Sequence, residues 1–235
     1  MSKFLKLSKA QVHLILGAAL YGCTSQAVLN QSAEKYPSQL SLEPLSGQGS
    51  ETLENNGLES KVAVILIDMQ DFFLTEIAEK ELAEEIPYQI EVLEYSHKNK
   101  LPVFVLEYNY FGDTTKILKE KLDTLEDVKY IVKTNDDGFE DTSLTKELKD
   151  KNVETVLLMG VKATACVLST AQSALKNGFE IMTSKQLIAN KEYYVPGIFG
   201  REAVGWYKKV GIHRDNFRDL LKIISERRKK EQQSL

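Results

Sequence analysis

Lys61-Val62-Ala63-Val64-Ile65-Leu66-Ile67-Asp68 begins as a near-continuous apolar run and stops on an acid. A strand with one face in water alternates apolar and polar residues. A mostly β-branched run without alternation reads as a strand buried on both faces. Leu101–Glu107 (LPVFVLE) reads the same way, Val153–Met159 (VETVLLM) and Phe179–Thr183 read as further strands, and Val128–Val132 reads as a shorter one.

Helical spacing fills the gaps. Pro87 stands where a helix is expected to start, because proline suits the first helical position, and Ile90, Val92 and Leu93 give that helix an apolar face. Residues 114–124 read as a helix with Ile117, Leu118 and Leu122 inward. A short helix opens at Asp141-Thr142-Ser143 and runs to Lys149. Val167, Leu168, Ala171, Ala174 and Leu175 mark another, ended by Gly178. A loop through Tyr193, Tyr194, Pro196, Gly197 and Gly200 leads to two closing helices, around 201–209 and 214–228.

Strands alternating with helices imply an α/β fold, a three-layer α-β-α domain on a mostly parallel, doubly wound sheet. Sites in such sheets form outside the carboxyl ends of the strands, where the strand order reverses. Three residues at strand ends therefore matter. Asp68 follows the first strand and is either a turn cap or a functional acid. Cys166 falls near the first turn of a helix, where unpaired amides and the helix dipole favour an anion. It is either a buried structural thiol or a nucleophile with a lowered pKa. Lys133, after Tyr130-Ile131-Val132, reads alone as a solvated lysine.

The combination is more specific than its parts. Asp68-x-Gln70-x-Phe72-Phe73 after a first strand, a lysine after a mid-chain strand, and Gly160-Val161-x-x-x-x-Cys166-Val167 after a fourth strand resemble the isochorismatase-like cysteine hydrolases. That superfamily includes nicotinamidases and N-carbamoylsarcosine amidohydrolases. The resemblance covers residues 60–185 well and the last 50 loosely. It implies that Asp68 takes the proton of Cys166, that the thiolate forms a thioester with a carbonyl substrate, and that Lys133 stabilises negative charge beside them. It implies an oxyanion hole from the backbone N–H groups of Lys162 and Cys166, and a cis peptide at Val161–Lys162. Phe73, Tyr108, Tyr110, Tyr194, Phe199 and Trp206 are candidates for lining a substrate pocket.

The sequence also departs from the family. Nicotinamidases carry an Asp-x-His-x-x-His metal site after the second strand. Here Glu107-Tyr108-Asn109-Tyr110-Phe111-Gly112-Asp113 holds no histidine, so neither a metal nor another cofactor is expected. Ala163 stands where many relatives have threonine, and Lys162 places a long cation at the cis position. These changes leave the Asp68/Lys133/Cys166 set intact and leave the substrate undetermined.

The first residues read as an address. Lys3, Lys6 and Lys9 precede a short apolar run, Val12 to Leu20, and then Leu20-Tyr21-Gly22-Cys23. This is the grammar of a secretory signal, and its end resembles a bacterial lipobox, with Tyr21 and His13 as departures. Residues 1–22 are expected to be removed and Cys23 acylated, with palmitate among the chains. The run is too short to span a bilayer, so acyl chains would supply the membrane affinity. Removing three lysines takes the formal charge from −4 to −7. Residues 23–57, rich in Ser, Gln, Asn and Glu and containing Ser46-Gly47-Gln48-Gly49-Ser50, read as the lipidated N-terminus and a flexible tether. The hydrolase domain is expected over 58–228 and a polar tail over 229–235. The expected location is a bacterial cell envelope. Thr24 is not the aspartate that retains lipoproteins at the inner membrane, which points to the periplasmic side of an outer membrane in a Gram-negative cell.

Composition removes other classes. The chain has 235 residues, 43% hydrophobic and 27% charged, as ordinary globular proteins do. Its net negative charge and the lack of a basic stripe argue against nucleic acid as a partner. Two cysteines, Cys23 and Cys166, exclude a disulfide framework. No Gly-rich phosphate motif is present, and His97 and His213 lie beside none of the strand ends named above. A small-molecule substrate, the membrane through Cys23, and further copies of the chain (relatives commonly oligomerise) are the expected partners. The competing reading is a non-catalytic envelope lipoprotein that keeps the fold as a binding or structural module.

Overall fold

A computed structural model describes residues 61–190 and 199–233. The signal, the lipobox with Cys23 and the tether lie outside the described residues. The strands are β1 (Val62–Ile67), β2 (Val103–Tyr108), β3 (Val128–Lys133), β4 (Thr155–Val161), β5 (Glu180–Ser184), β6 (Ile188–Ala189) and β7 (Ile212–Arg214). The helices are α1 (Asp71–Leu74), α2 (Glu79–Asn99), α3 (Lys116–Leu122), α4 (Leu144–Asp150), α5 (Cys166–Lys176), α6 (Phe199–Val210) and α7 (Phe217–Gln233).

The sheet has seven strands in the order β3-β2-β1-β4-β5-β7, with β6 paired to β4. Every strand pairing is parallel. The α/β fold expected from the buried runs is therefore present, and β1 and β4 are buried along their whole length. Successive side chains of a strand point to opposite faces. Val64 and Leu66 of β1 join Val92 and Leu93 of α2 and Phe217, Leu220 and Ile224 of α7 in one core. Ala63, Ile65 and Ile67 face the other way and are fully buried. Helix α5 packs against β4 and β5.

Three local expectations change. Helix α2 starts at Glu79, and Pro87 lies inside it. Proline there forfeits one backbone hydrogen bond. The helix survives because packing, more than propensity, stabilises helices in proteins, and Glu85, Gln89, Val92, Leu93 and Ser96 are buried along it. In α3, Leu118 and Leu122 are buried, but Ile117, one residue off their shared face, is 51% exposed. Strands β6 and β7 are two and three residues long, too short to leave a periodic pattern.

The sheet order reverses between β1 and β4. Ile67 pairs with Gly160 there, and Gly160 has φ +123°. A Cβ on Gly160 would sit 2.1 Å from the Ile67 carbonyl oxygen. Only glycine lets the two strand ends approach this closely, and the two chain segments leaving them carry Asp68 and Cys166.

Candidate active site

Asp68 leaves β1 in the left-handed region, φ +52°, with its N–H bonded to the Leu106 carbonyl at 3.0 Å. Aspartate tolerates this conformation better than most residues. Two residues on, the buried Gln70 side chain holds the end of β2. Its Oε1 accepts the Tyr108 N–H at 2.7 Å and its Nε2 donates to the Tyr108 carbonyl at 3.0 Å. Lys133 is the last residue of β3, two strands from β1. Its Nζ lies 2.8 Å from Asp68 Oδ2, with both side chains essentially inaccessible. The same ammonium donates to the Asn135 carbonyl at 3.0 Å and sits 4.2 Å from the Tyr108 ring centre.

Cys166 is the first residue of α5 and is 8% exposed. Its thiol donates to Asp136 Oδ1 at 3.6 Å, and it also interacts with the Asp68 carboxyl. Asp136 belongs to the site although no sequence pattern marks it. Its neighbours fix it in place. The Asp137 carboxylate accepts the Ser173 hydroxyl of α5 and, at 2.9 Å, the Phe139 N–H. The Gly138 N–H donates to Thr170 Oγ1 of α5 at 2.9 Å. A Cβ on Gly138 would come 2.3 Å from Leu106 Cδ1, so glycine lets this loop lie flat on the core. In sequence, Asp136-Asp137-Gly138 carries only the composition of a turn.

The electrostatics follow from burial with one cation among several acidic groups. Burial raises the Asp68 pKa, and Lys133 offsets only part of that rise. Burial pulls Lys133 down, but Asp68, Cys166 and Asp136 outweigh it, so its pKa stands above the ordinary lysine value. The Cys166 thiol is pushed well above its ordinary value, first by burial and then by Asp68. This corrects the lowered thiol pKa expected from the helix-start position. The amides and dipole of one helix end are overridden by desolvation and two carboxylates. Burial and the neighbouring carboxylates both favour the neutral form of the Cys166 thiol.

The Val161–Lys162 peptide is cis. In the loop that follows, the Ala163 N–H donates to the Ala189 carbonyl, and the Ala165 and Val167 N–H groups both donate to the Lys162 carbonyl. The Cys166 N–H lies in the first helical turn, whose amides have no intrahelical acceptor. Lys162 forms an ion pair with Glu76 and stands 5.8 Å from the Phe73 ring centre. From α6, the buried Tyr207 hydroxyl donates to the Ala163 carbonyl at 2.9 Å.

The aromatic candidates separate. Phe73 and Tyr108 pack at 6.0 Å between ring centres. Phe111, which is not among the candidates, joins them at 5.0 and 5.5 Å. Tyr110 is 89% exposed. Trp206 is half-buried against Tyr207 at 5.3 Å, and it is Tyr207 that touches the cysteine loop. Tyr194 and the Phe199 side chain lie outside the described residues. Among the described residues, no group of three or more His, Cys, Asp or Glu is placed to hold a metal ion.

This arrangement sets the Cys166 thiol beside a buried carboxylate paired with a lysine, with amides of the first helical turn next to the sulfur. Those parts suffice for acyl transfer to a thiol.

A family model for the isochorismatase domain matches residues 62–189. The uncharacterized isochorismatase family protein YaaI of Bacillus subtilis is 21% identical over 145 residues, covering 54% of this chain and 80% of that protein. The solved nicotinamidase of Staphylococcus aureus aligns with a TM-score of 0.57 at 20% identity, covering 66% of this chain and 99% of the other. The N-carbamoylsarcosine amidase of Thermoplasma acidophilum aligns with a TM-score of 0.51 at 21% identity, covering 66% and 96%. At these identities the structural likeness is one of fold.

Proposed function

This chain belongs to the isochorismatase family, and on that premise we propose that it hydrolyses a small amide or related C–N bond with Cys166 as nucleophile. The observation that carries the reading is the buried Asp68–Lys133 pair, 2.8 Å apart, beside the Cys166 thiol. A buried ion pair is expensive to maintain for stability alone, and perturbed titrating groups cluster at functional sites.

The Asp68 carboxylate takes the thiol proton as sulfur bonds to the substrate carbonyl carbon. The Cys166 and Lys162 amides receive the developing oxyanion. The C–N bond breaks, Asp68 returns its proton to the leaving nitrogen, and a thioester remains. Water then attacks the thioester, Asp68 takes one of its protons, and the C–S bond breaks. The departing sulfur recovers that proton. Lys133 keeps Asp68 ionised between turnovers. Asp68 and Asp136 against Lys133 leave the reacting centre with a formal charge of −1, which favours neutral or cationic carbonyl compounds over anionic ones.

We also place this activity at a bacterial envelope, through acylation of Cys23 within Leu20-Tyr21-Gly22-Cys23. None of the described helices is long and apolar enough to cross a membrane. Incorporation of a labelled fatty acid that is lost in Cys23→Ser would support the anchor. Incorporation that survives it would remove the anchor.

The deciding experiment follows ammonia release from a panel of neutral, cationic and anionic primary amides, with intact-mass detection of a Cys166 acyl adduct. Turnover and adduct lost together in Cys166→Ala would support the hydrolase. One observation favours a second reading, a non-catalytic module: the thiol is buried, and its surroundings favour the neutral form. No turnover, with a thiol that resists alkylation, would establish that reading instead.

A further inference from the structure

Helix α2 carries Glu81, Glu85 and Tyr88 at i, i+4 and i+7, on one face, with Glu84 beside them. This face lines a cleft of about 330 Å³. Ala163 and Thr164 of the cysteine loop, Asn190 after β6, and Tyr207 of α6 also line it. Asp68, Lys133 and Cys166 do not.

Among the described residues, the lining of the cleft holds more acidic groups than cations. Seven glutamates elsewhere each have a cation: Glu76 with Lys162, Glu91 with Arg218, Glu94 with Lys121, Glu120 with Lys116, Glu147 with Lys129, Glu154 with Lys61 and Glu180 with Arg227. Among the described residues, Glu81, Glu84 and Glu85 form no ion pair. Lys185 also lines the cleft and pairs with none of them. Glu85 is 4% exposed. Its Oε1 accepts from Gln89 at 2.6 Å, while its Oε2 is buried with no hydrogen-bond partner. Buried polar groups in folded proteins are nearly always satisfied, and an exception calls for a reason.

We propose that this cleft binds a small organic cation, an amine in its ammonium form, with Glu85 at its floor. An ammonium brings N–H donors for the unpartnered Oε2 and a positive charge to a cleft whose lining carries three glutamates and one lysine. A bare metal ion fits less well, since these residues form no group placed to ligate one. The volume lies at the small end of ligand pockets. This site is separate from the hydrolase reading and stands or falls without it.

Calorimetric titration of the full chain with 1,4-diaminobutane tests the proposal, with 1,4-butanediol as the neutral analogue of the same length. Saturable 1:1 binding of the diamine, weakened about tenfold or more in Glu85→Gln and absent for the diol, is the expected result. Glu84→Gln, on the cleft rim, should weaken binding less, and it becomes the deciding variant if Glu85→Gln does not fold. Equal binding of the diol, undiminished binding in the variants, or no saturable binding by the parent would each overturn the assignment.

Discussion

Asp68 and Glu85 are both almost fully buried carboxylates, and they differ in what surrounds them. Asp68 ends a central strand and faces the Lys133 ammonium at 2.8 Å. Glu85 lies mid-helix, with one oxygen on the Gln89 amide and the other unpartnered. Burial lifts both pKa values, against the opposing pull of Lys133 for Asp68 and with the added push of Glu81 for Glu85, which stands well above its ordinary value. Desolvation alone disfavours the charged form. Desolvation with a fixed cation gives a base that can remain ionised. The position beside the thiol is what the proposed proton transfer requires.

The largest expected effect tests whether Asp68 is such a base. Asp68→Asn keeps the shape and removes proton transfer, so kcat/KM for the best amide should fall about 10²–10⁴-fold. A loss of less than about tenfold would leave Asp68 as packing. In the wild type, activity should rise with pH through the Asp68 titration, with its acid limb above the ordinary carboxylate value because that pKa is raised. Lys133→Met should move the limb higher still.

Stability should separate the two carboxylates next. Lys133→Met strands Asp68 in the core. Removing one partner of a buried pair typically costs about 3–5 kcal/mol, and urea unfolding in mildly alkaline buffer should show a loss of that order. Glu85→Gln removes a buried acid without breaking a pair. It should be neutral or stabilising by about 1 kcal/mol. If Glu85→Gln proved the more damaging of the two, the contrast would be reversed.

The pH dependence of stability gives a smaller effect with a fixed sign. The folded-state pKa of Glu85 lies well above 4.5, the ordinary glutamate value. Its favourable contribution is therefore complete below 4.5 and is lost as pH rises through the folded pKa. Glu81 and Asp68 are raised as well and act in the same direction. Unfolding free energy measured across this range should decline less steeply with pH in Glu85→Gln than in the parent. Parallel curves would mean that Glu85 is as well solvated as the unfolded chain.

The contrast also separates what the sequence discloses from what it hides. Val62–Ile67 is apolar at every position, so a buried strand and an acid at its end can be read directly. The same logic reaches Cys166 and Lys133, because each follows a run with its own pattern. Glu85 sits in Glu84-Glu85 near a proline, which reads as a solvated helix start. Only the tertiary packing of α2 buries it. Tyr207 is hidden similarly: it neighbours the more conspicuous Trp206, and adjacent helical residues face different ways. Asp136 depends on loop geometry that Asp137 and Gly138 share with Ser173 and Thr170, more than 30 positions away, which no local pattern encodes.

Asp136 supports the smallest and most discriminating prediction. Its carboxylate accepts the Cys166 thiol at 3.6 Å, and its negative charge raises the pKa values of the thiol, Asp68 and Lys133 alike. Asp136→Asn keeps an acceptor oxygen but removes the charge. The alkylation rate of Cys166 should then reach its midpoint at lower pH than in the parent, since one of the groups opposing the thiolate is gone. Asp136 is partly exposed, so solvent screens it and the movement should be smaller than that from Asp68→Asn. The same variant should shift amide preference away from cationic substrates, seen in KM more than in kcat. A midpoint unmoved by Asp136→Asn but moved by Asp68→Asn would assign the thiol proton to Asp68 alone and leave Asp136 as a wall of the site. Movement in both would mean that the nucleophile is governed by two carboxylates, of which the sequence announces only one.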